Sequence, residues 1–247
     1  RFQDYFSEYT DQYVFIGGVA CYLLYKQAGR DFRRTKDLDI VLCAGVLTKQ
    51  FTEALFRFIS EGGYEIKENA TGARNLYRYT KPQDKSYPHQ LEFFSVNTIN
   101  QPEDDRYTPI KMNAEYISLS ALLLEPTYYY LLHLGKSIVE GFSVLRAEYI
   151  IVYKAKAWLD LSDRSAAGGI IRDTDIKKHI EDVFRMLSLL SPELRVSLPS
   201  VIKADMQLFV SRCAEQELND LIEEYNGISQ IEALDLIRQI YALGEEA

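Results

Sequence analysis

Two carboxylates inside an apolar run constrain this chain more than any other feature. Residues 37–42 read DLDIVL. The apolar and β-branched residues argue a buried strand. Successive strand side chains alternate between faces, so Asp37 and Asp39 project to one side and Leu38 and Ile40 to the other. A carboxylate in or beside a core is costly unless a cation compensates it. The strand therefore demands a positive partner. Upstream, YVFIGG (residues 13–18) reads as a short buried strand ended by Gly17 and Gly18, and VACYLLYKQAG (19–29) as a helix closed by Gly29.

The same mixture continues through the first half. TKQFTEALFRFISEGG (48–63) is an amphipathic helix with Phe51, Leu55, Phe58 and Ile59 on one face, stopped by Gly62 and Gly63. YEIKEN, NLYRYT, HQLEFFSV and EYISLS read as strands. After Leu119 the pattern becomes helical. TYYYLLHLG is short, VLRAEYIIVYKAKAWLDLS is long and apolar enough to be central to a bundle, and DTDIKKHIEDVFRMLSLL follows a glycine-bearing loop. Ser191-Pro192-Glu193 reads as the start of another helix, Pro199 as the opening of the next, and Ser229 with Glu232 as a capping box before the last. The expected class is α+β. A mixed sheet with flanking helices over residues 1–125 precedes a helical domain over 126–247.

Composition narrows the setting. Net charge is −8, but residues 215–247 hold nine acids against Arg238 alone, so the remainder sums to zero. The acidic end is a solvated helical face or a surface for a basic partner. Cys21, Cys43 and Cys213 are widely spaced, which fits a reducing cytoplasm and argues against a disulfide framework or zinc site. The best membrane-span candidate, residues 117–134, is broken by Glu125 and Pro126. The opening residues lack the apolar core of a signal peptide, so a cytoplasmic protein without membrane partners is expected.

The aspartates are candidate metal ligands. On one strand face their Cα atoms lie about 6.5–7 Å apart, a span from which two carboxylates share one or two divalent cations. Two such ions stabilise the attacking and leaving oxygens of an in-line phosphoryl displacement. Glu92, alone among Leu91, Phe93 and Phe94, is the candidate third acid; Asp11, Asp31 and Glu65 are rivals in or beside loop-like sequence. Gly17 and Gly18, ending a strand and opening a helix, let a phosphate approach backbone N–H donors. Arg33 or Arg34, with Thr35, could contact phosphate or sugar. Taken singly, GG is usually a tight turn and D-x-D a solvated strand end.

The order hGG, D-L-D strand, later acid resembles the DNA polymerase β-like nucleotidyltransferase superfamily. The fuller R-x-T-x-D-L-D string of Arg33, Thr35, Asp37 and Asp39 resembles the AbiEii-type nucleotidyltransferases, many of which are toxins of type IV toxin–antitoxin systems. KAKAWLDL followed by KKHIEDVFRML resembles that group's second-domain pattern, a lysine helix and then a K-D-x-x-D helix. Three features depart from it: Gly18 stands where the superfamily often has serine, the gap from Gly18 to Asp37 is at the long end, and His179 stands where K-D-x-x-D has its first aspartate.

The lysine helix offers two cations. Lys156 has Asp160 at i+4, which a modest surface pair explains. Lys154 has Ile150, Ile151, Ala157 and Trp158 at its neighbouring positions, so it snorkels or reaches a phosphate. Lys178 and Asp182 form either a surface pair or part of a nucleotide-binding face. The resemblance implies a nucleotidyltransferase-fold domain with Mg²⁺ on Asp37, Asp39 and Glu92. It implies NTP phosphates near Gly17, Gly18, Arg33 and Thr35, a triphosphate or transition-state contact from Lys154, and Lys178 and Asp182 on the nucleotide face. An NMP would pass to an acceptor RNA (a tRNA 3′ end is the toxin-like case), a protein or a small molecule, with pyrophosphate release, and a cognate antitoxin would be the partner. The alternative is a catalytically weak nucleotide- or partner-binding protein that keeps the fold.

Overall fold

The computed structural model describes residues 1–33, 35, 37–43, 46–68, 74–94 and 125–244, with the backbone alone at 66–68, 74–77 and 94. The strand expected over EYISLS, like Arg34, lies outside the described residues. The chain makes two compact units. One is Arg1–Tyr116 with Lys136–Arg146; the other is Ile117–Gly135 with Ala147–Ala247.

The first unit runs α1 (Phe2–Phe6), a 3-10 turn, β1 (Tyr13–Ile16), α2 (Gly17–Gln27), β2 (Asp37–Leu42), α3 (Lys49–Gly62), β3 (Glu65–Glu68), β4 (Arg74–Thr80) and β5 (Gln90–Phe94). It is completed by β6 (Lys136–Val139) and β7 (Phe142–Leu145). Among the described residues these strands form one sheet in the order β3-β4-β5-β2-β1-β7-β6. The sheet is mixed, as expected: β2 pairs parallel with β5 and β1 with β7, while the other neighbours are antiparallel. One face is an aromatic core. Tyr13 and Phe15 of β1 meet Phe2 of α1 at ring separations of 5.3 and 4.9 Å, and Phe58 of α3 meets Phe2 at 5.7 Å and Phe6 at 5.5 Å. Leu38 and Ile40 of β2, in phase with these residues, are buried. The α3 helix takes this position because its apolar residues recur every third or fourth residue. Its N-terminus is capped by Thr48 accepting from the Phe51 amide, and Gly63, in the left-handed conformation at φ +61°, ends it.

The β6–β7 hairpin corrects the reading of everything after Leu119 as helical. Glu140 and Gly141, at φ +50° and +82°, turn the chain between two short runs, and β7 returns to β1. Two consecutive positive φ values are the signature of a tight two-residue hairpin turn. Val144 and Leu145 stand one residue short of the apolar start of the next helix, so the sequence pattern carries no boundary between strand and helix there.

The second unit holds α4 (Pro126–Leu134), α5 (Ala147–Ala166), α6 (Asp173–Leu187), α7 (Ser200–Ala214), α8 (Asn219–Asn226) and α9 (Gln230–Ile240). The long α5 is central, buried along most of its length and packed on both α6 and α7. Trp158 and Phe209 stack edge-on at 5.4 Å across the α5–α7 contact. The Ser229–Glu232 capping box forms as expected. Ser191-Pro192-Glu193 does not open a helix. It makes a turn closed by the Leu194 amide on the Ser191 carbonyl, and the chain then ties to α9 through the Val196 amide and Ile240 carbonyl at 2.8 Å. A serine-proline-acid triplet suits a tight turn as well as a helix start. Among the described residues no helix is long and apolar enough to cross a membrane. Cys21, Cys43 and Cys213 are all buried, and among the described residues no disulfide forms.

Phe58 is fully buried among five aromatic rings. Phe58→Ala should cost about 3–5 kcal/mol, read as a lowered urea midpoint for the sheet unit.

Candidate active site

The β2–β5 register answers where the acids go. Asp37 lies opposite Gln90 and Asp39 opposite Glu92 across a parallel pair, so all four side chains leave the same face of the sheet. That face is opposite to the aromatic core. On the far side of β5, Arg78 of β4 lies opposite Glu92. Asp39, Glu92 and Arg78 therefore form one row across three adjacent strands. Within it Arg78 Nη2 stands 2.6 Å from Glu92 Oε1, and Gln90 Nε2 donates to the same oxygen at 2.7 Å. His89 Nδ1 lies 3.7 Å from Asp37 Oδ1, and both side chains are exposed. Arg78 was not singled out from sequence. Its signal was the alternation in NLYRYT, which sets an arginine on the face opposite to Tyr79.

Gly17 shapes the other side of Asp39. The β1–β2 register puts Ile16 opposite Asp39, and the chain turns at Gly17 with φ +65° directly into α2. A Cβ at Gly17 would overlap Asp39 Oδ2 and lie 2.8 Å from its Cγ. The glycine thus permits both the backbone conformation and the close approach of a carboxylate to the start of a helix, whose dipole favours negative charge. Gly18 carries Thr35 on its other side: a Cβ there would sit 3.2 Å from Thr35 Cβ, Cγ2 and Oγ1. The Thr35 hydroxyl accepts from the Asp37 amide at 3.3 Å, which fixes the entry to β2. Arg33 is exposed, its guanidinium 5.6 Å from the Phe32 ring centre.

In the helical unit, Lys154 does not snorkel. Its ammonium lies 2.9 Å from Asp182 Oδ2, and both side chains are almost fully buried. The partner comes from α6, invisible to a search along α5 alone. Arg185 Nη1 stands 3.9 Å from the other oxygen of Asp182. Asp182 is therefore a buried residue paired between helices, not half of a surface pair with Lys178, which is exposed. Lys156 behaves as read: it lies 3.5 Å from Asp160 and also 2.9 Å from Asp205 of α7. His179, one turn before Asp182, is buried, and its Nδ1 has no hydrogen-bond partner among the described residues. Burial, reinforced by the Lys154 charge, depresses its pKa to about 3.

Asp37, Asp39 and Glu92 are hard oxygen donors suited to a divalent ion, and two of them share one strand face. They are not gathered into a finished cage: among the described residues no three His, Cys, Asp or Glu side chains are grouped closely enough to hold a metal. The donor set fits in kind, the three acids share one sheet face, and Glu92 is paired with Arg78.

A family model described as "Nucleotidyl transferase AbiEii toxin, Type IV TA system" matches residues 2–230, spanning both units. No curated protein and no solved structure matches the chain.

Gly17→Ala should destabilise the sheet unit by about 1–3 kcal/mol, from strain at positive φ and displacement of Asp39. In an Asp39→Ala background the same change should cost measurably less, which a double-mutant cycle in urea will read. Stability should also fall in acid. Unfolded His179 takes up a proton below its ordinary value near 6.5, whereas the folded residue resists until about pH 3. Its neutral burial is therefore without penalty above pH 6.5 and costs up to about 1.4 kcal/mol per pH unit as pH falls through that window. Comparing unfolding free energies of wild type and His179→Gln from pH 7 to 4 should show a shallower slope in the variant.

Proposed function

The chain belongs to the AbiEii nucleotidyl transferase toxin family of type IV toxin–antitoxin systems, and from that premise we propose that it transfers an NMP from an NTP to an acceptor, releasing pyrophosphate. The observation that carries this reading is the Asp39 carboxylate seated against Gly17 at the start of α2, with Asp37 beside it on the same strand face. Asp37 and Asp39, joined by Glu92, would hold Mg²⁺. When bound, Mg²⁺ supplies charge neutralisation for the triphosphate and the leaving pyrophosphate. Phosphate oxygens would lie near the N-terminus of α2 beside the Asp39 carboxylate, with Arg33 and Thr35 as further contacts. In the transfer the acceptor hydroxyl attacks the α-phosphorus, the bond to the β-phosphate oxygen breaks, and one carboxylate of the row takes the hydroxyl proton. The acceptor is an RNA, with a tRNA 3′ end first among candidates, a protein or a small molecule, and the partner is a cognate antitoxin.

Lys154 and Asp182 are proposed to serve the same reaction, Lys154 as a contact to phosphate, with the exposed Lys178 on the same nucleotide face. The pair sets how Lys154 should be tested. Lys154→Ala strands the Asp182 carboxylate in a buried site, which costs about 3–5 kcal/mol whatever the function. Replacing both by apolar residues of similar size is often neutral for stability. Lys154→Met/Asp182→Leu should therefore separate catalysis from folding.

A second reading is favoured by the two ion pairs. Glu92 and Lys154, the groups proposed for metal and phosphate, each already have a partner of opposite charge within their own unit. A protein that binds NTP without turnover would look the same. Transfer of label from each α-³²P NTP to total RNA or protein decides between the readings. The wild type should label one acceptor class. Asp39→Ala should lose that activity by about 100-fold or more, and Lys154→Met/Asp182→Leu should lose it while remaining folded. NTP binding with Mg²⁺ but no pyrophosphate release in the wild type would establish the binding role instead.

A further inference from the structure

We propose that Arg78 is a positioning residue that holds the Glu92 carboxylate away from Asp37 and Asp39, and that a divalent ion completes its site only by drawing Glu92 off Arg78. The inference rests on the metal reading above and concerns the control of that site. Asp39, Glu92 and Arg78 occupy matching register positions on adjacent strands and share one face. Adjacent strands lie about 4.8 Å apart, so a glutamate in the middle strand has a neighbour within reach on either hand. In this structure its Oε1 is paired on one hand, with Arg78. Arg78 Nη2 lies 2.6 Å from Oε1, and Gln90, two residues before Glu92 on the same strand, donates to the same oxygen at 2.7 Å.

The commitment has energetic content because the pair is mostly shielded, with side chains 23% and 15% exposed. Solvent and salt screen such a pair less than a surface contact. A guanidinium on the carboxylate opposes a divalent cation twice over. It occupies the oxygen the cation needs, and its like charge repels the incoming ion. Without metal the arrangement is favourable for the opposite reason. Three carboxylates on one small face would repel one another, and Arg78 neutralises the one nearest to it. Glu92 thus has two alternative partners, and the balance between them sets how much cation the site requires.

Titration with Mn²⁺ alone, followed by loss of the free-ion EPR signal, tests this without nucleotide or turnover. Arg78→Ala should tighten Mn²⁺ binding by about fivefold or more. The gain should vanish in Arg78→Ala/Glu92→Gln, which separates release of Glu92 from a general rise in negative potential. Gln90→Ala leaves all charges in place and removes one donor to Oε1; it should shift affinity in the same direction by a smaller factor, and it serves if Arg78→Ala does not fold. Unchanged or weaker binding in Arg78→Ala and Gln90→Ala, or a gain that survives Glu92→Gln, overturns the proposal while leaving the metal reading intact. Absence of Mn²⁺ binding in the wild type and every variant overturns both.

Discussion

The approach of Asp39 to Gly17 is the contact on which the arrangement of the sheet unit turns. The antiparallel pairing of β1 and β2 sets Asp39 opposite the last residue of β1, where the chain must leave the sheet and begin α2. Any Cβ at Gly17 would stand in the carboxylate. One glycine therefore fixes three things together: where β1 ends, how α2 begins, and which side of β2 carries its acids. With that side set, the strand period dictates the rest. Asp37 shares the face, Leu38 and Ile40 face the aromatic layer, and the parallel register of β5 brings Glu92 level with Asp39.

The cost of carboxylates beside a core is met by different means along the row. Asp39 lies at a helix N-terminus, Asp37 is half exposed with His89 nearby, and Glu92 carries a guanidinium. The helical unit repeats the theme with less solvent: Lys154 and Asp182 neutralise each other in its interior. Buried pairs of this kind are poor sources of stability, because desolvation offsets most of the Coulomb attraction and an apolar pair packs as well. The proposed function gives this pair a use that stability alone does not.

How far the sequence revealed this depends on the range of each interaction. Features encoded within a few residues were legible: the strand with two acids, the glycine turn, the face of α3, the Ser229–Glu232 box. The α+β class followed from them. Pairings between distant segments were not. Nothing in NLYRYT says that Arg78 will stand beside Glu92, since that depends on the order of strands in the sheet. Lys154 had no acid within four residues on its own helix, so its partner from α6 was beyond any search along α5. The β6–β7 hairpin was missed for a different reason. Its local signal, Glu140-Gly141 between two short apolar runs, was present but merged with the apolar start of α5. The Ser191 triplet failed because a serine and a proline suit a turn and a helix entry alike.

Two of the departures from the expected pattern, at Gly18 and His179, make sense once their surroundings are known. At Gly18, where serine is common, a side chain would press on Thr35 at 3.2 Å from three of its atoms. A hydroxyl stands beside this turn after all, but it comes from the strand entry, where it also receives the Asp37 amide. At position 179, where the pattern has an aspartate, a carboxylate would add a second buried negative charge one turn from Asp182. Histidine avoids that by remaining neutral, and the same burial that keeps it neutral places Lys154 close enough to disfavour its protonation further. Neither residue interrupts the carboxylate row or the Lys154–Asp182 pair.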